Sequence, residues 1–177
     1  MSNPAHPTLP PAALHTARAG RAAYVRDVRG YALRTLDLPI PGLHPALDGL
    51  TILHLSDLHA TSRWMRGYDE LIAELQADPT DLLRVSGDFV DPKFDHRPVL
   101  PTIRRLAMGL RARLGVFAIP GNHDGDLLVP RLDGCGITFL NGRCATLRSS
   151  DGAIIEIVGL PGGARDDVTE FDIASLG

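Results

Sequence analysis

Short apolar runs of four or five residues alternate with amphipathic stretches in the middle of this 177-residue chain. The runs at 51–55, 82–85 and 116–119 have the length and the nearly continuous apolar character of strands that are buried on both faces. The stretches at 68–77 and 99–114, which separate them, have the apolar spacing of helices. Strands that alternate with helices in this way predict a parallel sheet in an α/β fold.

The segment before this region has a different pattern. Residues 1–14 carry four prolines among small residues, a composition typical of a mobile arm. Residues 13–28 predict a short helix with a basic face, which is either solvated or in peripheral contact with an anionic lipid surface. Residues 31–38 alternate partly at period two and predict an edge strand that ends before a proline. We therefore divide the chain into 1–30, an arm with a short basic helix, and 31–177, a folded domain.

The segment after the third run is rich in strand and turn signals. Residues 137–140, 143–147 and 153–158 have the composition of strands. Asn141-Gly142 and Asp151-Gly152 separate them, and both dipeptides favour tight hairpins. We expect a meander of three strands here.

Composition and charge argue against several classes of protein. A formal charge of −3 and a pI near 6.1 argue against nucleic-acid binding, which needs a basic domain. No apolar run reaches about 18 residues, and the first 30 residues lack the apolar core of a secretory signal. We therefore expect a cytoplasmic protein, in which Cys135 and Cys144 are reduced packing residues. The oligomeric state is left open.

Polar side chains follow each of the three predicted parallel strands. The carboxyl ends of such strands are where the reactive groups of open α/β sheets gather. The three polar blocks are Ser56-Asp57-Leu58-His59, Ser86-Gly87-Asp88-Phe89-Val90-Asp91 and Pro120-Gly121-Asn122-His123-Asp124.

The first two blocks supply carboxylates and an imidazole. Asp57 and His59 are two residues apart in an extended segment, so both side chains should project to one side, as half of a metal site. Asp-x-His is too common by chance to decide anything alone. If Asp57, Asp88 and Asp91 converge without a cation, each like-charge pair near 4 Å costs on the order of 4 kcal/mol at an effective dielectric of about 20. Convergence therefore implies a metal or raised pKa values, and the alternative is that the carboxylates are separate helix caps.

The third block, Gly-Asn-His-Asp, is much rarer by chance. The amide oxygen of Asn122 is a neutral donor that can ligate a divalent cation. The adjacent His123 would be directed toward a substrate, where it could serve as a general acid or stabilise an oxyanion. His54, in phase with the first block, is expected to be a hydrogen-bonded wall residue rather than a ligand.

Together, these three blocks on successive strand ends resemble the calcineurin-like metallophosphoesterases over about residues 50–160. The segment that leads into the first block looks like a bacterial branch that includes membrane-associated enzymes, some of which act on UDP-2,3-diacylglucosamine. The resemblance implies a four-layer αββα sandwich with two divalent ions, commonly Mn, Fe, Zn or Mg. By motif match, Asp57 and His59 would bind the first ion, Asp88 would bridge both ions, and Asn122 would bind the second.

The same resemblance implies an activity. His123 would face the phosphoryl group of a phosphoester substrate, and Asp91 looks like the carboxylate that orients it. Two adjacent cations can activate a water and neutralise the charge of an in-line phosphoryl transition state. The implied reaction is hydrolysis of a phosphomonoester, a phosphodiester or a pyrophosphate.

The sequence also departs from the family pattern, which continues with a further His and a Gly-His-x-His block. No histidine follows His123 in this sequence. We therefore expect only the N-terminal portion of the sandwich, truncated on its C-terminal side, with little hydrolytic activity by itself. The alternative is a catalytically inactive form of the fold that acts as a binding module.

Overall fold

A computed structural model describes residues 8–9, 24–28, 31–91 and 95–160 of the chain. Within these residues the chain forms nine strands and three α-helices. In chain order they are β1 (Thr8–Leu9), β2 (Tyr24–Val28), β3 (Tyr31–Thr35), β4 (Ile52–Leu55), α1 (Arg66–Ala77), β5 (Leu82–Ser86), α2 (Leu100–Gly109), β6 (Val116–Ile119), α3 (Gly125–Arg131), β7 (Ile137–Phe139), β8 (Arg143–Ser149) and β9 (Ile154–Gly159).

The centre of the fold is a parallel sheet of four strands in the order β4-β5-β6-β7. The helices α1, α2 and α3 connect successive strands, so the predicted α/β fold and its three central strands are confirmed. The second helix was predicted to reach residue 114, but it ends at Gly109, after which Leu110 is extended. A Cβ atom at residue 109 would collide with the side chain of Ile72, so glycine lets α1 and α2 approach closely.

A second sheet contains the last two strands and β1, in the order β1-β8-β9, with β1 parallel to β8. β8 and β9 pair antiparallel around Asp151-Gly152, which confirms this predicted hairpin. Gly152 has a φ of +84°, the left-handed conformation that such short loops require. The predicted hairpin at Asn141-Gly142 is wrong, because β7 pairs with β6 while β8 pairs with β9. The turn there moves the chain from one sheet to the other, since an Asn-Gly signal specifies a reversal but not the partner strand.

Apolar side chains fill both sides of the parallel sheet. The larger cluster lies between the sheet and the helices and contains Leu83, Val85 and Ile103. A smaller cluster, which includes Phe117 and Leu147, lies between the sheet and the β8–β9 hairpin. Among the described residues this arrangement gives three layers, one of helices and two of strands. The helical layer that would complete the expected sandwich on the far side of β8–β9 is not found in this part of the chain.

The amino-terminal predictions need two corrections. The mobile arm predicted over 1–14 is wrong at Thr8–Leu9, which form β1 and pair parallel with β8. The helix expected over 13–28 is wrong at its end, because β2 is a strand that pairs antiparallel with β3. Aromatic and β-branched residues at Tyr24, Val25 and Val28 favour this outcome. The edge strand is confirmed over Tyr31–Thr35. Most of the predicted arm lies outside the described residues, and the domain division and the lipid contact stay predictions.

The described helices are short. The longest, α1, has 12 residues, and no helix in the part of the chain that the structure describes is long and apolar enough to cross a bilayer.

Candidate metal centre

The loops that follow β4 and β5 remain paired beyond the ends of the strands. The amide N–H groups of Asp57 and His59 donate to the carbonyls of Gly87 and Asp88, at 3.2 and 2.9 Å. Ala60 and Val90 then form a parallel bridge. This extended ladder fixes the first polar block in register with the second, so the main chain brings the two blocks together.

The backbone at this edge adopts an unusual conformation. Asp57, His59 and Asp88 have φ values of +53°, +39° and +53°, and they are the non-glycine residues with positive φ among those described. Such conformations cost roughly 1–3 kcal/mol each and cluster at functional sites. The extended backbone predicted for Asp57 and His59 is therefore wrong. The side chains meet because the chain turns through left-handed conformations.

Asp57, His59 and Asp88 form a cluster in which one ligand atom from each lies within 4.8 Å of the others. Nε2 of His59 is 3.8 Å from Oδ1 of Asp57 and 3.9 Å from Oδ2 of Asp88. Without a cation, two carboxylates at such a separation repel by roughly 3–4 kcal/mol at an effective dielectric of about 20. A mixed carboxylate and imidazole donor set suits ions such as Mn, Fe and Zn. The residues present therefore fit a divalent metal ion.

Two glycines bring the third loop against this cluster. A Cβ atom at Gly87 would lie 2.6 Å from the backbone nitrogen of Gly121, and a Cβ atom at Gly121 would collide with the carboxylate of Asp88. Because neither residue has a side chain, the two loops touch backbone to backbone. The amide of His123 can then donate to Oδ1 of Asp88, at 3.1 Å.

His123 lies beside the cluster and is oriented by the second loop. Its ring is edge-on to that of His59, with centroids 4.8 Å apart. Its Nδ1 is 2.8 Å from the carbonyl oxygen of Asp91, and a carbonyl only accepts, so Nδ1 carries the proton. Asp91 thus contacts His123 through its main chain, whereas the resemblance implied its carboxylate.

The carboxylate of Asp91 instead faces His59. Its Oδ1 is 3.8 Å from Nδ1 of His59, a buried atom for which the described residues provide no hydrogen bond. Asp91, His59 and His123 also place one ligand atom each within 4.8 Å of one another. Asn122, the predicted ligand of the second ion, is exposed in the same loop as His123.

Sequence reasoning gave Asp124 no role, although it holds two of the loops together. Its side chain is fully buried. Oδ1 accepts from the amides of Phe89 and Val90, and Oδ2 accepts from the amide of Gly121 at 2.7 Å. Burial raises the pKa of Asp124, and these backbone hydrogen bonds oppose that rise. Asp124 is the last residue of the Gly-Asn-His-Asp block, and its position before α3 suggests a helix cap, but it makes no side-chain cap.

Two histidines outside the predicted ligand set also lie near the polar blocks. Nε2 of His54 is 2.7 Å from Oγ of Ser86, which confirms His54 as a hydrogen-bonded wall residue. Burial, with the charge of Arg84, lowers the pKa of His54. His96, which the sequence did not single out, is buried with Nε2 3.2 Å from the carbonyl oxygen of His123.

Comparisons with known proteins agree with this chemistry. A family model described as calcineurin-like phosphoesterase matches residues 50–173. The chain is 31% identical over 99 residues to the uncharacterized metallophosphoesterase YkoQ of Bacillus subtilis (strain 168). That alignment covers 56% of this chain and 36% of the relative, so the chain spans little more than a third of the relative's length.

Proposed function

Because the chain belongs to the calcineurin-like phosphoesterase family, we propose that it is a hydrolase that cleaves a phosphoester bond with two divalent metal ions. The observation that carries the proposal is the convergence of Asp57, His59 and Asp88 from two strand ends, with ligand atoms within 4.8 Å. Among the described residues, no lysine or arginine forms an ion pair with Asp57 or Asp88 that would offset the repulsion between their carboxylates.

The ligand roles are those that the family resemblance implies, and the positions of the side chains support them. Asp57 and His59 would hold the first ion, with Nε2 of His59 facing both carboxylates. Asp88 lies between the first loop and the third, so it would bridge both ions, and Asn122 would complete the second position. Divalent ions at these positions supply Lewis-acid activation of a water and neutralise charge on the phosphoryl oxygens.

His123 would act on the leaving group. Its Nδ1–H donates to Asp91, which leaves Nε2 as the ring nitrogen available to the substrate. When the ring is protonated, Nε2–H can donate its proton to the ester oxygen as the bond to phosphorus breaks, while a water attacks phosphorus from the opposite side. The products are an alcohol and a phosphate group, and the ring regains its proton from solvent.

The test measures metal binding and hydrolysis separately. Asp88→Asn should weaken Mn²⁺ binding in a calorimetric titration by about tenfold or more, because it removes a charged ligand. Asp37→Asn, at an exposed aspartate outside the cluster, is the matched control and should bind Mn²⁺ as the wild type does. Equal Mn²⁺ affinity in wild type and Asp88→Asn would contradict the proposed metal site.

Hydrolysis is assayed with p-nitrophenyl phosphate and bis-p-nitrophenyl phosphate, a monoester and a diester. Activity that disappears with EDTA and returns with Mn²⁺ supports the hydrolase. Mn²⁺ binding without hydrolysis of either ester favours the alternative role as a binding module.

A further inference from the structure

We infer that His96 is a positioning residue for this reaction, because it fixes the main chain that carries His123. The inference rests on the proposed function, in which His123 is the acid. His96 lies outside the three polar blocks, in the segment between the second block and α2. It is a buried histidine to which neither the metal cluster nor the proposed chemistry assigns a use.

The contacts of His96 connect α2 to the third loop. Its side chain is 4% exposed, and Nε2 is 3.2 Å from the carbonyl oxygen of His123. Since a carbonyl only accepts, Nε2 carries the proton and donates. The backbone carbonyl of His96 accepts from the amides of Val99 and Leu100, both at 3.0 Å, where α2 begins. His96 is therefore anchored to a rigid helix and donates into the loop.

The peptide unit after His123 is held at both ends as a result. The side chain of His96 donates to the carbonyl of His123. At the other end of the same peptide unit, the N–H of Asp124 donates to the carbonyl of Gly121 at 3.2 Å. On the other side of the residue, the amide of His123 donates to Asp88. With the main chain fixed on both sides, the His123 ring keeps its bond to the Asp91 carbonyl, and Nε2 stays directed to one place.

Other described histidines have different partners and explain why His96 is singled out. Nδ1 of His44 accepts from the amide of Ala46 at the start of a 3₁₀ helix. His54 bonds to the hydroxyl of Ser86. Among the described residues, neither forms a hydrogen bond with the main chain of the third loop.

The first experiment compares two substitutions in the full chain. His96→Leu removes the donor, whereas His96→Gln keeps an N–H donor at a similar reach. With Mn²⁺ bound, His96→Leu should lower kcat about tenfold with KM within about twofold, because displacement of a catalytic group by about 1 Å can cost up to about 100-fold. His96→Gln should stay within about threefold of wild type, since its amide restores the hydrogen bond. His44→Leu is the control for loss of a histidine.

A second measurement does not depend on hydrolysis. In metal-free protein, the ring ¹⁵N resonances of His123 report whether Nδ1 carries the proton. Wild type, His96→Gln and His44→Leu should share the Nδ1–H signature, and His96→Leu should lose it in part. If His96→Leu does not fold, His96→Met, an unbranched side chain without a donor, replaces it.

The outcomes separate the two ideas. An unchanged His123 signature in the variant that lacks the donor overturns the role of His96, and so does an equal loss of kcat in His96→Gln and His96→Leu. A His123 signature that depends on the donor, in a protein that hydrolyses neither ester, upholds the positioning role while the proposed function fails.

Discussion

Strand β5 has an aspartate near each end, and the carboxylates of Asp81 and Asp88 have different hydrogen-bond and ion-pair partners. Asp81, before the strand, accepts from the amide and the hydroxyl of Thr51 with one oxygen, and from Arg113 with the other at 3.0 Å. Asp88, after the strand, accepts an amide from His123 with Oδ1, and Oδ2 faces His59 at 3.9 Å. Arg113 therefore neutralises the carboxylate at the amino edge of the sheet, whereas no lysine or arginine among the described residues pairs with Asp88 at the carboxyl edge.

The pKa values of two carboxylates, one at each edge of the sheet, are shifted in opposite directions. Burial by itself would raise the pKa of Asp81, but the hydrogen bonds from Thr51 and Arg113 outweigh it and hold that pKa below its usual value. Burial raises the pKa of Asp124 at the carboxyl edge. The comparison teaches that a carboxylate stabilises the fold where its charge is compensated, and serves binding or loop assembly where it is not.

The largest expected effect belongs to the carboxyl edge. His123→Ala should reduce phosphoester hydrolysis about 10²–10⁴-fold, the range typical of a positioned acid–base group. Mn²⁺ binding should remain close to wild type, because the cluster of Asp57, His59 and Asp88 is untouched. Calorimetry and a steady-state assay measure the two quantities, with His44→Ala as the control. A parallel loss of Mn²⁺ binding would make His123 a ligand rather than the acid.

The second-largest effect is expected from replacing Asp81, the carboxylate at the amino edge that is paired with Arg113. Asp81→Asn should lower the free energy of unfolding by about 3 kcal/mol, since hydrogen bonds to charged groups are worth roughly 1.5–3 kcal/mol each. Urea unfolding measures this loss, and Asp78→Asn, at the exposed end of α1, is the control. Mn²⁺ affinity should not change in either variant. A weaker Mn²⁺ affinity in Asp81→Asn would show that the two edges are coupled.

A smaller effect is expected from disturbing the close backbone contact between Gly87 and Gly121. Gly121→Ala should destabilise the fold by about 2 kcal/mol, within the range typical of overpacking, and weaken Mn²⁺ binding, because the new Cβ displaces Asp88. Gly42→Ala introduces a Cβ that meets nothing within 4 Å at a φ of +78°, so it measures the backbone strain of a left-handed alanine without a collision and should leave Mn²⁺ binding unchanged. Thermal unfolding and calorimetry check both variants. If Gly121→Ala and Gly42→Ala have the same stability and the same Mn²⁺ affinity, the inference that the second and third loops approach closely is wrong.

The smallest effect is the pH dependence of the amino edge. The pKa of Asp81 is lower in the folded than in the unfolded chain, so its contribution to stability is fully present above the unfolded pKa of about 4. This contribution is lost as the pH falls through the folded pKa. The difference in unfolding free energy between wild type and Asp81→Asn should therefore shrink as the pH falls from 6 to 3, as measured by urea unfolding. If this difference in unfolding free energy does not change with pH, the lowered pKa of Asp81 in the folded chain is contradicted.

The central parallel strands were predictable from the sequence, because the apolar pattern within each short run is enough to indicate a strand. The apolar runs of β5 and β6 can only be buried between two layers, and the residues that follow the parallel strands must share one edge. The run of β4 was also predicted to be buried on both faces, and that is wrong, because β4 lies at the edge of the sheet and Ile52 is 52% exposed. The Asn141-Gly142 turn shows the limit, since strand partners depend on the rest of the fold. The strand at Tyr24–Val28 shows a second limit, because pairing with β3 overrode a helical pattern.

The candidate site was predictable in its residue types and less so in its geometry. The combination of three polar blocks on successive strand ends identified Asp57, His59 and Asp88, and the structure brings them together. The sequence could not show the left-handed backbone at these residues, because φ is set by the paired loops. It also gave no role to Asp124 or His96, whose contacts are with main-chain groups, and main-chain groups carry no sequence signature.

The ladder that continues from Asp57 to the Ala60–Val90 bridge has a consequence for how fast an ion exchanges. Since the main chain orders the ligand atoms before an ion arrives, capture requires no loop to fold around it. The rate of association is then expected to follow the rate at which each ion releases its hydration water. Mg²⁺, which dehydrates reluctantly, should enter this site more slowly than Mn²⁺.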